Sequence, residues 1–398
     1  MRFVVFGIYK ILGEKVSFTF HKLSGSYFWY FAILGLIVPF LSVFLDHRGF
    51  NSIEIGEILA IFTATKIIGP AMWAIIADKR GEQLSIIRFG ALLTFFSFCL
   101  MFFADGYWPI VFVLAIFSIF WTAILPQMEV LTLYSIRKSA KIYARIRLWG
   151  SIGFIVLSIV SGELLSRYTP EAFTYIGAFV LLMLYVSTLF IKQPKIGQLE
   201  NTDSQPIISK CLELSFIAFF IAGLFLQLSF GPYYSFFALY LRDLDYPSFA
   251  VGAYASVGVV AEIVIFLIAG SLFKHYSMKG LLIFSLLLTA IRWYLMADYA
   301  DSAVVLFIAQ VLHAFSFGLY HAVSIQFVQR HFSNQQQNRG QAIYLAGVYG
   351  IGGAIGAYAS GILWQDGKGA ELSFELAALM ALLGMLCCFL IKEKKEVY

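Results

Sequence analysis

Charge is what this sequence has least of. Only 23 acidic and 28 basic residues stand among 398, or 13%, where a water-soluble chain keeps about a quarter of its residues charged. That shortage excludes a soluble enzyme. The formal net charge of +5 is no nucleic-acid signal either, because the basic residues lie in short loops between apolar runs. Cysteine is also scarce: Cys99, Cys211, Cys387 and Cys388 show no metal-ligand spacing and fall in or beside apolar runs, so they read as packing residues. The first 25 residues carry Lys10, Glu14, Lys15 and Lys22 without a small-residue cleavage site. This argues against a removed signal peptide and for an amphipathic segment on the cytoplasmic membrane surface.

What is present is apolar: 60% hydrophobic residues, 41 Phe and 22 Tyr, with a mean hydropathy of +0.83. Runs long enough for one helical crossing each, about 20 residues, lie near 26–45, 53–77, 84–104, 108–134, 143–166 and 172–191, and again near 212–241, 248–272, 279–297, 303–328, 341–364 and 372–391. The expected class is an all-α membrane protein of twelve crossings. The one long polar break, KQPKIGQLENTDSQPIISK, supplies a cytoplasmic linker at 192–210. It separates a bundle at 26–191 from one at 211–391, after a segment at 1–25 and before a tail at 392–398. With both termini on one side, that side carries 22 lysines and arginines, and the opposite loops carry Arg48, Arg167, Arg242 and Lys368. Positive residues favour the cytoplasm, so both termini are expected there, in a bacterial inner membrane.

The halves repeat. At an offset of 196, FNSIEIGEILAIFTATK (50–66) lies on YPSFAVGAYASVGVVAE (246–262), pairing Ser52 with Ser248, Gly56 with Gly252 and Lys66 with Glu262. A second match sets RLWGSIG (147–153) on GVYGIGG (347–353). A duplicated six-helix unit indicates a transporter, with its substrate site between repeats near the midplane. Lys66 and Glu262 then sit at similar depth, although an ammonium within a span costs roughly 2.5–3.5 kcal/mol on insertion scales.

Other ionisable groups lie within the runs. Glu129 follows LPQM, and Arg147 shares a helix face with Gly150, Ser151 and Phe154, leaving room for a ligand. Arg145 projects about 200° from Arg147 and reads as a membrane-surface anchor. Arg292, six residues before Asp298, either snorkels to the headgroups or joins a charge cluster. His313 has Gln310 one turn earlier, while His321 is rotated about 80° from it on a regular helix. The strip Gly352, Gly356, Ser360 suits close helix packing. It is no phosphate loop, since no strand precedes it.

These features resemble the major facilitator superfamily, whose loop signature after helix 2 corresponds to AIIADKRG, with Asp78, Lys79 and Gly81 as a conformational latch. More narrowly, RLWGS (147–151), YYSFFALY (233–240), VGAYASVGVVAEIVIF (251–266) and VLHAFSFGLYHA (311–322) resemble the phenylpropionate permease group, related to lactose permease and nucleoside–proton symporters. The resemblance implies substrate binding by Glu129 and Arg147 and proton coupling through Arg292 and His313. It departs from lactose permease at Ser316, where the sugar carrier has its proton-binding glutamate, so Glu262 is left as the proton site.

The expectation is a proton symporter of a small aromatic carboxylate. Lys66 would meet the carboxylate, Phe154, Tyr233 and Tyr234 the ring, and Glu262 the proton. No cofactor, metal or obligatory protein partner is expected; the partners are substrate, protons and the lipid bilayer. Alternatives are symport of a neutral nucleoside or oligosaccharide and, remotely, an intramembrane lipid-modifying enzyme. The enzyme would need a clustered His/Asp or Ser/His constellation and a catalytic loop, and the sequence offers neither.

Overall fold

The computed structural model describes residues 2–80, 82–136, 139–193, 206–333 and 335–392, apart from the side chains of 2–18, 71, 74, 78–80 and 140. Gly81, the side chains of Asp78 and Lys79, most of the linker (194–205) and the tail from 393 lie outside the described residues.

Among the described residues there is no strand, and twelve helices are long and apolar enough to cross a membrane. They are α1 (Thr19–His47), α2 (Ser52–Ala77), α3 (Gln83–Phe102), α4 (Tyr107–Ser135), α5 (Lys141–Arg167) and α6 (Ala172–Leu189), then α7 (Leu214–Asp243), α8 (Ser248–His275), α9 (Met278–Asp298), α10 (Ala303–His331), α11 (Gln337–Gly367) and α12 (Ala370–Cys388). α1 continues a helix that begins at Arg2. α7 breaks at Phe230, next to Gly231 and Pro232, as expected where proline removes a backbone donor. α10 and α11 pass through π-helical stretches at Ala314–Leu319 and Leu345–Gly352. All four cysteines are free.

Two compact units emerge: Met1–Leu41 with Ile68–Leu199, and Ser42–Ile67 with Glu200–Tyr398. The repeat is visible in local features of the helices. α2 starts at Ser52 and α8 at Ser248, keeping the offset of 196. In the first unit a Cβ on Gly35 would strike the carbonyl oxygen of Phe154. In the second, a Cβ on Gly231, again 196 residues on, would strike that of Gly356. Glycine is required at both because the crossing helices touch backbone to backbone.

The matching extends to a charged cap. In the first unit α3 packs on α6, and Arg88 donates to the carbonyls of Leu189 (3.1 Å) and Ile191 (3.0 Å). In the second, α9 packs on α12, and Lys279 donates to Phe389 (2.6 Å) and Ile391 (3.2 Å). Each cation satisfies carbonyls left open at a helix C-terminus and complements the helix dipole.

Candidate functional site

Three ionisable side chains of the second unit, Glu262, Arg292 and His313, meet from α8, α9 and α10. Arg292 of α9 is fully buried, at 0% exposure, so it does not snorkel to the headgroups. Its Nη1 lies 2.9 Å from His313 Nδ1, and His313 Nε2 lies 2.6 Å from Glu262 Oε1. A guanidinium only donates hydrogen bonds, so Nδ1 must accept. The proton of a neutral imidazole then sits on Nε2 and is donated to Glu262. Three residues from three helices thus form one directional chain, with an Arg⁺ at one end offsetting a carboxylate at the other. A proton added to His313 would place an N–H on Nδ1, against the Arg292 donor, so protonation and the Arg292 contact exclude one another.

Aromatic rings enclose the chain. The Arg292 guanidinium lies 4.2 Å from the Trp293 ring centroid, 4.4 Å from Tyr233 and 5.6 Å from Phe230. Such cation–π contacts reach about 2 kcal/mol when desolvated, which helps to hold a charge away from water. Its Nε and Nη2 have no hydrogen-bond partner among the described residues. Tyr233 donates its hydroxyl to Gln310 Oε1 at 2.9 Å, and Tyr234 stacks on Phe230 at 5.1 Å. Gly258 of α8 lets the imidazole in: a Cβ there would stand 3.1 Å from His313 Cδ2.

The structure therefore joins Glu262, Arg292, His313 and Tyr233, with Tyr234 one ring removed. Lys66 is half-buried, its ammonium 4.8 Å over the Phe62 ring one turn earlier on α2. The ion pair of Glu262 is with His313, not with Lys66.

In the first unit Tyr143 donates to Glu129 Oε1 at 3.0 Å, and the Arg147 guanidinium lies 3.7 Å from the Phe31 ring centroid. Among the described residues, no ion pair links Glu129 to Arg147. The space that Gly150 opens is taken by Phe31, whose ring a Cβ at Gly150 would strike. Phe154 marks the α1–α5 crossing, where its carbonyl meets Gly35. Arg145 is exposed, in keeping with an anchor.

Sequence reasoning missed Trp293, Phe230 and Phe31 as ring partners of the arginines, and Tyr143 as the partner of Glu129. Tyr143 precedes Arg147 by four residues, one turn on the same helix face, and that spacing was the available signal. It also missed a clip in the second unit. Asp366 Oδ1 accepts from Ser52 Oγ (2.6 Å) and Ser52 N (3.1 Å), and Asp366 N donates to Ser52 Oγ (2.8 Å). Nearby, Arg242 pairs with Asp46. These groups border a cavity of about 310 Å³ that Trp364 and Asp243 also line.

Comparison with known proteins agrees with this architecture. Residues 20–376 match the MFS_1 like family. The chain is 29% identical to a probable 3-phenylpropionic acid transporter of Escherichia coli (strain K12), over 90% of this chain and 95% of that one. It is 26% identical to a maltose permease of Geobacillus stearothermophilus, over 90% and 92%. The crystal structure of the nucleoside transporter NupG superposes with a TM-score of 0.81, covering 94% of this chain and 100% of that one, at 18% identity. At that identity the likeness is one of fold.

Proposed function

Because the chain belongs to the MFS_1 like family, and is therefore a membrane transporter rather than an enzyme, we propose that it carries a small aromatic carboxylate together with a proton by alternating access. The single observation that carries the reading is the buried chain Arg292–His313–Glu262. A neutral imidazole held between a fixed cation and a carboxylate is a proton acceptor whose loading changes its contacts, as a coupled carrier requires.

The proton enters at the Glu262–His313 contact. Its arrival either neutralises Glu262 or charges His313, and in the second case His313 Nδ1 gives up Arg292. The freed guanidinium already has two unpartnered donors and offers a place for substrate charge. Lys66, a cation midway along α2, is the first partner proposed for the substrate carboxylate, and Tyr233 and Tyr234 are ring contacts. The name of the Escherichia coli relative supports a 3-phenylpropionate-like ligand. The loop charges support cytoplasmic termini.

Proteoliposomes loaded with 3-phenylpropionate test this. Glu262→Gln should lose accumulation driven by a proton gradient yet keep exchange of internal for external substrate. Accumulation at the wild-type level would move the proton to another group. Lys66→Ala should lose carboxylate uptake; undiminished uptake removes the lysine from the site, and uptake of nucleosides or maltosides instead of the acid would select the neutral-ligand reading.

A further inference from the structure

One helical turn before His313 on α10, Gln310 is fully buried, at 0% exposure. An amide is costly to bury unless both of its ends find partners, and here both do. Its Oε1 accepts from the Tyr233 hydroxyl at 2.9 Å, and its Nε2 lies 3.7 Å from Met296 Sδ on α9. A thioether sulfur has no proton to give, so the amide nitrogen faces it and Oε1 is left for Tyr233. A tyrosine hydroxyl carries a single proton. Once that proton is spent on Gln310, the Tyr233 oxygen offers only lone pairs to its other neighbours. One of those neighbours is Arg292, whose Cζ lies 4.4 Å from the Tyr233 ring centroid and whose guanidinium is within reach of the hydroxyl. α7 thus brings an oxygen beside the cation, and α10 makes that oxygen an acceptor.

We infer that Gln310 is a positioning residue for proton uptake: by holding the Tyr233 proton, it keeps the Tyr233 oxygen as the acceptor to which Arg292 turns when His313 becomes charged. This rests on the proton-coupled reading above. Before uptake, Arg292 Nη1 donates to His313 Nδ1. A proton placed on Nδ1 ends that bond, and a buried donor left without an acceptor is costly. Arg292 Nε and Nη2 already lack a hydrogen-bond partner among the described residues, so the cation has no acceptor to spare. The Tyr233 oxygen relieves this only while its own proton points toward Gln310. One guanidinium donor is enough for that contact, and the others stay available to substrate. A single proton is gained, at His313 Nδ1; Nε2–H stays on Glu262 and Tyr233 keeps its own. The groups facing His313 are Glu262 from α8, Arg292 from α9 and Tyr233 from α7, with Tyr234 of α7 within electrostatic range of Glu262. The carboxylate attracts a charge on the imidazole and the guanidinium repels it. Gln310 and Tyr233 decide how readily the guanidinium gives way. The sign follows: without that acceptor, His313 takes its proton only at lower pH.

The test uses the full chain in proteoliposomes with 3-phenylpropionate as probe. It reads the external pH at which proton-driven accumulation is half its maximum, each variant scaled to its own maximum. Tyr233→Phe should lower that midpoint by about one to two pH units, the scale of a hydrogen bond to a charged group. Gln310→Leu, close in volume, should lower it as well, and Gln310→Met takes its place if it does not fold. Gln310→Glu, which still accepts from Tyr233, should not lower it. The double variant Tyr233→Phe with Gln310→Leu should match Tyr233→Phe alone, because Gln310 acts through the hydroxyl. An unchanged midpoint in Gln310→Leu or Gln310→Met overturns the inference, as does a double variant whose shift is the sum of the two. So does Gln310→Glu shifting as far as Gln310→Leu, which would make the residue a matter of packing. If the wild type moves no protons with substrate, the proton-coupled reading falls and takes this one with it. If the wild type is coupled and the Gln310 variants keep its midpoint, this inference falls alone.

Discussion

At Arg292 a charge is kept where no water reaches it, and the arrangement works only as a set. The guanidinium donates to His313, His313 donates to Glu262, and three aromatic rings cover the cation. Removing one partner of a buried ion pair leaves the other charge uncompensated, at a cost of about 3–5 kcal/mol, whereas replacing both is often close to neutral. Arg292→Ala should therefore lower the thermal unfolding midpoint in detergent sharply. Adding Glu262→Gln to it should restore much of the loss, since a neutral amide no longer needs the cation. Two additive losses would mean that Arg292 and Glu262 do not share a charge balance. Lys66 obeys another rule: its stem lies along an apolar helix, and Phe62 supplies a ring face for the ammonium.

At the level of the helices, the irregular segments matter most. A π-helical stretch leaves backbone groups less well paired, so it persists where the side chains it aims are worth the cost. In α10 it aligns His313, Phe317 and His321, and in α11 it presents Tyr349. The end of α11 is irregular in another way. Gln365 and Asp366 both adopt positive φ, 47° and 52°, a conformation costing roughly 1–2 kcal/mol per non-glycine residue. The bonds between Asp366 and Ser52 offset that cost. Asp366→Asn should weaken the clip by up to about 1.5–3 kcal/mol, the range for a hydrogen bond to a charged group. The readout is faster thiol labelling of a cysteine placed at Asn51, beside the clip; an unchanged labelling rate would mean that the clip does not restrain this segment.

For the molecule as a whole, twelve crossings return the chain to the side it started from, and loop charge chooses that side. A cytoplasm-dependent fluorescent reporter fused after Tyr398 should be active, and one inserted in the loop at Arg48 inactive. The reverse result would invert the topology and with it the direction of proton entry. Duplication explains why features recur at an offset of 196, with Gly35 and Gly231 each meeting a crossing helix and Ser52 and Ser248 each opening one. The repeat does not extend to chemistry. The second unit holds a three-residue ionisable chain, while the first holds Tyr143–Glu129 and Arg147–Phe31, with no ion pair between Glu129 and Arg147 among the described residues.

The sequence by itself determined the number of spans, the repeat and which residues bear charge within the apolar runs. Hydrophobic run length, loop charge and fixed offsets are one-dimensional properties, written residue by residue. Only the tertiary structure decided which charge meets which. Glu262 lies 51 residues before His313 along the chain, and the register of α8 against α10 is set by how side chains pack, including the space left by Gly258. The alignment of His321 with His313 was equally hidden, because a change of helical phase between them follows from contacts along the whole helix rather than from the local order of residues.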